Sequence, residues 1–513
     1  MTATRREALS AAGAGAAGLV LSGAVPGWAR KRPLLARGGT FAQGVAAGLP
    51  RRSGATLWSR LEDVEGPALV RLEVAEDRGF RRVVDRRVQS TAPGRDWTLK
   101  AQVTGLDPDR EYFYRFETRD AESAVGRLRT LPARGSQRPL RIGFWTCQAF
   151  TQGYWGSHVG LAAEDDLDLV VCLGDYVYES GGTSALPGRN DPTGDGGTAS
   201  TLDQYRAKYR LYRTDAALRD LHAAHPHVYL WDDHEVVNNY WREGQAGQRV
   251  EGLRERRAAA YRAWFEHQPV PRIGEPGATR IYRSLRLGAT GELFLLDGRQ
   301  YRDAQPCADA NLAPCPAAAD PGRTLLGAEQ KAWLQAGLRR SRAAWKVIAN
   351  PVMLMALDTP APGFSKFVDT WDGYTAERAE LVSSWTRDAL RDLLVMTGDD
   401  HDGYAGLVRP DGRSAGAPAA AEFVVPSTSS DNTAELAGGS DAAAAVAEAN
   451  ARQANPHLAL VDQRRHGYAV LTLTGSEARI SYRHVASRQD PRSPVSTSYG
   501  FRVPRGAAAL EPA

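Results

Sequence analysis

Three observations predict an α/β protein preceded by a separate β-rich module. From Leu140 onward, apolar strand-like runs alternate with helical patterns, as in a sheet layered with helices. Between residues 40 and 135 the runs are short, alternate with period two and are broken by Gly, Pro and Asp, with no long helical pattern. Between these regions lies "RGSQRP", which reads as a linker.

The elements follow in chain order. Residues 1–29 read as a leader: "TRREALS" carries Arg5 and Arg6, an apolar run of small residues extends from Ala11 to Val25, and Pro26-Gly27-Trp28-Ala29 ends in a cleavage site. This pattern resembles a twin-arginine export signal, an address read by a receptor and not an anchor. Residues 38–135 read as a β-sandwich domain. "ATLWSRL", "ALVRLEVA" and "EYFYRFET" are its strands, with Tyr112, Tyr114 and Phe116 at alternating positions. Residues 140–505 read as an α/β domain. Its strands are "LRIGFWT", "LDLVVCLGD", "HVYLWDD", "LFLLDG", "WKVIANPV" and "DLLVMTGDD". "LDQYRAKYRLYR", "GLRERRAAAYRAWFEH" and "GAEQKAWLQAGLRRS" have helical spacing, and "AELAGGSDAAAAVAEANARQ" reads as a loop followed by a helix.

The bulk properties exclude some classes. A chain of 513 residues with 42% hydrophobic and 24% charged residues can bury the cores of two or three ordinary domains. A net charge of +4, with no basic run beyond Arg30-Lys31-Arg32, argues against a nucleic-acid-binding module. No stretch after the leader reads as a transmembrane anchor, so the mature protein is expected to be soluble and secreted, periplasmic or cell-surface. There are four cysteines. Cys307 and Cys315, in "PCADANLAPC", suit a disulfide in an oxidising compartment. Cys172 reads as a buried small side chain, which leaves Cys147 unpaired.

The strand ends carry the chemistry. "FWTCQ" delivers Cys147, "CLGDYVY" delivers Asp175 and Tyr178, "YLWDDHEVVNN" delivers Asp232 to Glu235 with Asn238 and Asn239, and "VMTGDDHDGY" delivers Asp399 to Asp402. Singly, each cluster reads equally well as a turn carboxylate, a core histidine or a solvated acidic loop. Four at successive strand ends, where loops of an α/β sheet converge on ligands, point to a metal site. Two close cations clamp a phosphoryl group and acidify a water, and one rigid carboxylate must bridge them. A trivalent iron accepts phenolate and carboxylate, and a thiolate partner would account for Cys147.

"GDYVY" matches the Gly-Asp-x-x-Tyr motif of the purple-acid-phosphatase-like metallophosphoesterases. "TCQ", "GDYVYE", "WDDHEVVNN", "RQYR", "WDGY" and "GD-x-H", in this order, resemble the alkaline phosphatase D (PhoD-like) family over nearly the whole chain. The resemblance implies a two-sheet αββα sandwich behind a fibronectin-III-like β-sandwich. It implies hydrolysis of phosphate monoesters or diesters by in-line attack of a metal-bound hydroxide. Cys147, Asp175, Tyr178 and His401 would hold Fe3+, with Asp175 bridging, while Asp233, Asn238 and Asp399 would hold a divalent ion, Ca2+ by family precedent. His234 would assist at the substrate oxygens. Arg299 would clamp phosphate, a structural salt bridge being the competing reading. The sequence departs from the family pattern at Asp400, Asp402 and Pro351, the last of which bears on where Asn350 sits.

The remaining histidines are given lesser roles. His222, His225 and His227 are expected in a loop, solvated or capping. His457 and His466 are expected to shape the pocket, and Trp371-Asp372-Gly373-Tyr374 to line its mouth or pack. Two alternatives stand beside the phosphoesterase reading: a phospholipase D-like phosphodiesterase, and an exported binding protein with a vestigial catalytic domain.

Overall fold

The computed structural model describes residues 34–275, 277–309, 315–359 and 367–513; the leader expected at 1–29 lies outside the described residues. Two large sheets organise the chain. The first has ten strands in the order Glu511–Pro512, Val495–Pro504, Glu477–Val485, Gly467–Leu473, Leu140–Trp145, Leu169–Cys172, His227–Tyr229, Val45–Arg51, Gly54–Arg60, Thr98–Val103. Its four central strands, from Leu140–Trp145 to Val45–Arg51, run parallel. The second has seven strands in the order Arg283–Leu287, Gly291–Leu295, Trp345–Asn350, Leu393–Thr397, Ala420–Val424, Gly403–Val408, Leu458–Asp462.

Side-chain alternation explains why these sheets form layers. Along a strand, successive residues face opposite sides. Leu293, Leu295, Val347, Ala349, Leu394 and Met396 join one apolar cluster with Ile142, Phe144, Val170 and Leu471 of the first sheet. Their neighbours Phe294, Ile348 and Val395 face the other way and pack with Leu334 and Leu338 of helix Ala328–Arg340 and with Leu381 and Trp385 of helix Thr375–Arg387. Helices Leu202–Tyr212, Ala216–Ala224 and Leu253–His267 cover the first sheet with Tyr205, Tyr209, Leu218, Leu221 and Trp264. The result is the αββα sandwich. Residues Asp441–Ala454 form the helix expected after the Ala-rich loop.

The N-terminal module is a β-sandwich, but it does not stand apart. Strands Val45–Arg51, Gly54–Arg60 and Thr98–Val103 face a four-stranded sheet of Val83–Thr91, Ala68–Ala75, Glu111–Glu117 and Gly126–Arg129 across a core containing Leu57, Val70, Leu72, Val74, Tyr112, Tyr114 and Phe116. Through Gly48, opposite His227, the first three strands continue the catalytic sheet, so one sheet crosses the boundary that the linker suggested. At this seam, Asp96 of the module pairs with Arg210 at 2.9 Å and meets His267 Nε2 at 3.0 Å.

The histidines between residues 222 and 227 differ from expectation. They do not sit solvated in a loop. His222 closes helix Ala216–Ala224, His227 begins a central strand, and both have no accessible surface. His222 stacks on Tyr176 at 5.8 Å. His225 does cap: its Nε2 lies 3.2 Å from the carbonyl of Ala162, the last residue of helix Gly156–Ala162. Trp371, Asp372 and Gly373 are buried, and Asp372 pairs with Arg378 at 2.6 Å, a packing role. Cys307 and Cys315 form the expected disulfide, and Cys147 and Cys172 are free and buried.

Candidate metal centre

Short loops leaving the parallel strands bring the acidic residues together, and two glycines permit it. A Cβ on Gly174 would lie 2.5 Å from Cβ of Asp232, and one on Gly398 would lie 2.5 Å from Thr146 Oγ1. Only glycine lets the Asp175 loop touch the Asp232 loop and the Asp399 loop touch the Cys147 loop. Glu235 then ties two of these loops: its carboxylate accepts from the backbone N–H of Asp175 (3.0 Å), Tyr176 (2.8 Å) and Asp232 (2.8 Å).

Three groups of potential ligands result, each with its donor atoms within 4.8 Å of one another: Cys147, Asp175 and His401; Asp175, Asp233 and His234; Asp232, Asp233 and Asp399. Asp175 belongs to the first two and Asp233 to the last two, so the groups form a chain. Tyr178 joins the first: its hydroxyl donates to Asp175 Oδ2 at 3.0 Å, lies 3.3 Å from His401 Nε2, and accepts from Ser430 Oγ at 2.6 Å. Cys147 Sγ is 3.4 Å from Asp175 Oδ2. His401 Nδ1 meets the Asp431 carbonyl at 2.7 Å, which leaves Nε2 turned toward the cluster. His234 Nδ1 is likewise occupied, 2.7 Å from Glu179 Oε2. Asn238 shares this loop; its backbone N–H donates to Glu179 Oε1 at 2.8 Å, and the residue is exposed.

The electrostatics call for cations. Burial, reinforced by Asp175, pushes the Cys147 thiol up, and burial likewise pushes the Asp175 carboxyl and the Tyr178 phenol well above their ordinary values. Burial outweighs the opposing Arg299 to raise Asp399 to about 7. At Asp233 burial acts upward too, but Arg299 and His234 hold it below the usual range. For His234, burial is outweighed by Glu179, Asp233 and Asp175, which raise it well above the usual imidazole value. Asp233 Oδ1 is buried with no hydrogen-bond partner. A bound metal would compensate so many crowded acidic donors, and the soft and hard donors present suit one.

At Arg299 the geometry favours the competing reading, a structural salt bridge. This residue has no accessible surface, and its guanidinium is held by Asp232 (2.5 and 2.9 Å), Asp369 (2.5 Å) and Asp399 (3.2 Å). It positions carboxylates and is not free to clamp a substrate. Asp402 is also committed, accepting from Tyr404, Thr433 and Gln463. Asn350 is buried at its strand end and donates to the Val352 carbonyl. His457 meets the Ala356 carbonyl at 2.9 Å, and His466 meets Ser427 Oγ at 2.9 Å. Sequence reasoning missed Asp369 and Ser430 and gave no separate role to Glu179 and Glu235. For Ser430 a signal existed: "PSTSSDN" follows the apolar strand Ala420–Val424 as the other polar clusters follow theirs.

The model of the PhoD-like phosphatases matches residues 142–482, and that of the PhoD-like phosphatase N-terminal domain matches residues 28–132. The chain belongs to the PhoD-like phosphatase family. Like other PhoD-like phosphatases, it is a metal-dependent phosphoric ester hydrolase. It is 34% identical over 478 residues to alkaline phosphatase D of Bacillus subtilis (strain 168), covering 90% of this chain and 80% of that protein. A solved structure of PhoD superposes with a TM-score of 0.84 at 32% identity, covering 92% of each chain. The purple acid phosphatase PPD1 from yellow lupin seeds shares the fold, with a TM-score of 0.56 at 12% identity over 90% of this chain and 74% of that one. No helix among the described residues of this PhoD-like phosphatase is long and apolar enough to cross a membrane.

Proposed function

We propose that the protein is an exported alkaline phosphatase or phosphodiesterase of the alkaline phosphatase D type. The observation that carries this reading is the double membership of Asp175, which joins a Cys–His group to an Asp–His group and would suit a bridging carboxylate. Cys147, Asp175, Tyr178 and His401 would hold a ferric ion, because thiolate, phenolate and imidazole suit iron. Asp233, Asn238 and Asp399, all oxygen donors, would hold a divalent ion such as calcium. When bound, the two ions supply positive charge at the phosphoryl group and lower the pKa of a water.

The chain's own residues do the rest. His234, oriented by Glu179 through Nδ1, would present Nε2 to the ester and donate the proton that the leaving oxygen needs. Arg299 holds Asp232, Asp369 and Asp399 in place. The leader supports export through the twin-arginine machinery, and the Cys307–Cys315 disulfide supports an oxidising destination.

The test is metal analysis of the purified mature protein with hydrolysis of p-nitrophenyl phosphate, bis-p-nitrophenyl phosphate and phosphatidylcholine, with and without calcium. We expect iron near one per chain, calcium-dependent turnover, and a loss of at least 100-fold with iron depletion in Cys147→Ala. Turnover unaffected by that substitution would refute the proposed ligand set. Preference for phosphatidylcholine would move the reading to the phospholipase D-like alternative.

A further inference from the structure

A cavity of about 470 Å³ lies where the hairpin joining Val45–Arg51 to Gly54–Arg60 meets the segment after Gly126–Arg129 and the edge strand Arg283–Leu287. Five arginines line it: Arg51, Arg52, Arg134, Arg283 and Arg286. None of its described lining residues is acidic. Leu49, Leu131 and Leu285 supply an apolar floor, and none of the candidate metal ligands contributes to it.

The charge here is largely uncompensated. Arg286 pairs with Glu292 at 3.2 Å. Arg283 donates to the backbone carbonyl of Ile281 at 3.0 Å, and burial together with nearby Arg51 and Arg280 lowers it to about 10. Arg51, Arg52 and Arg134 are exposed, with no ion pair among the described residues. Like charges so gathered repel one another, and an arriving anion would relieve this. Guanidinium groups match phosphoryl oxygens through paired N–H donors, whereas a lysine acts as a point charge. The cavity is within the size range of small-molecule sites.

We propose that this arginine-lined cavity is a second, non-catalytic binding site for a phosphoryl anion carried on an organic group, the arginines taking the phosphoryl oxygens and the leucines its apolar part. The proposal does not depend on the metal assignment. A soluble organic phosphate and an anionic lipid headgroup share this chemistry, and the experiment separates them.

The probes are methylenediphosphonate, which resists hydrolysis, counted by equilibrium dialysis, and phosphatidylglycerol vesicles, read by co-sedimentation. Both are used on the mature protein and on an Arg51→Ser/Arg52→Ser/Arg134→Ser variant. We expect the variant to bind one diphosphonate fewer per chain, or to lose at least tenfold in vesicle binding, while p-nitrophenyl phosphate turnover stays within twofold. Loss of the soluble site alone assigns a small phosphate ester, and loss of vesicle binding assigns a headgroup. Unchanged stoichiometry, affinity and vesicle binding would overturn the proposal. Arg134→Glu, on an exposed side chain, provides a second variant whose effect must agree.

Discussion

Cys147, Asp175, Asp399 and His401 have backbone φ of 54°, 56°, 67° and 71°, in the left-handed region that side chains rarely adopt. Each costs about 1–3 kcal/mol and persists because neighbouring hydrogen bonds impose it. Glu235 is the clearest of those neighbours at Asp175. Glu235→Ala would leave three buried N–H groups without an acceptor, at about 1–3 kcal/mol each. We expect the melting temperature to fall by several degrees and iron content to drop with activity, measured by thermal melts and metal analysis; an unchanged iron content would show that the loop holds itself. The candidate ligands were legible in the sequence because polar residues that end apolar strands stand out from them. Glu235 was quoted in the same stretch, yet its role was not legible, since a carboxylate that binds backbone is spelled like one that binds metal. The choice between the two readings of Arg299 was not legible for the same reason: nothing in "LDGRQYR" announces three carboxylates from distant loops.

At the scale of elements, helix Ala216–Ala224 and strand His227–Tyr229 show how burial makes a pH response. Burial lowers His227 to about 3 and His225 to about 4. Both are neutral in the folded protein, whereas the unfolded chain takes up protons below about pH 6.5. Their contribution is therefore intact above that pH and is lost as pH falls toward the folded values. The loss is on the order of 2 kcal/mol per group at pH 5. Denaturant titrations from pH 7 to 5 should show this decline, and His227→Gln should flatten it by about one proton. Equal slopes in both proteins would rule out His227 as a source. Helices and strands were readable from apolar spacing, as at Leu293–Leu296. The placement of His222 to His227 was not, because three polar residues among alanines read as a loop until the Tyr176 and Tyr229 rings are known to pack on them.

For the molecule as a whole, the ten-stranded sheet joins what looked like two domains. A two-domain reading was available from composition, since "RGSQRP" is a linker in sequence. The pairing of Gly48 with His227 spans too much chain for any local pattern to reveal. Deleting residues 38–135 would bare the edge of His227–Tyr229 that pairs with Val45–Arg51 and remove the Asp96 partner of His267 and Arg210. We expect that truncated chain to aggregate in size-exclusion chromatography, whereas a freely folding catalytic domain would elute as a monomer. The other side of the same sheet has a consequence in time. Leu140–Trp145, which leads to Cys147, takes Gly467–Leu473 as its antiparallel neighbour. A ribosome must therefore finish almost the entire polypeptide before this layer can close, and until then its apolar central strands lack that neighbour.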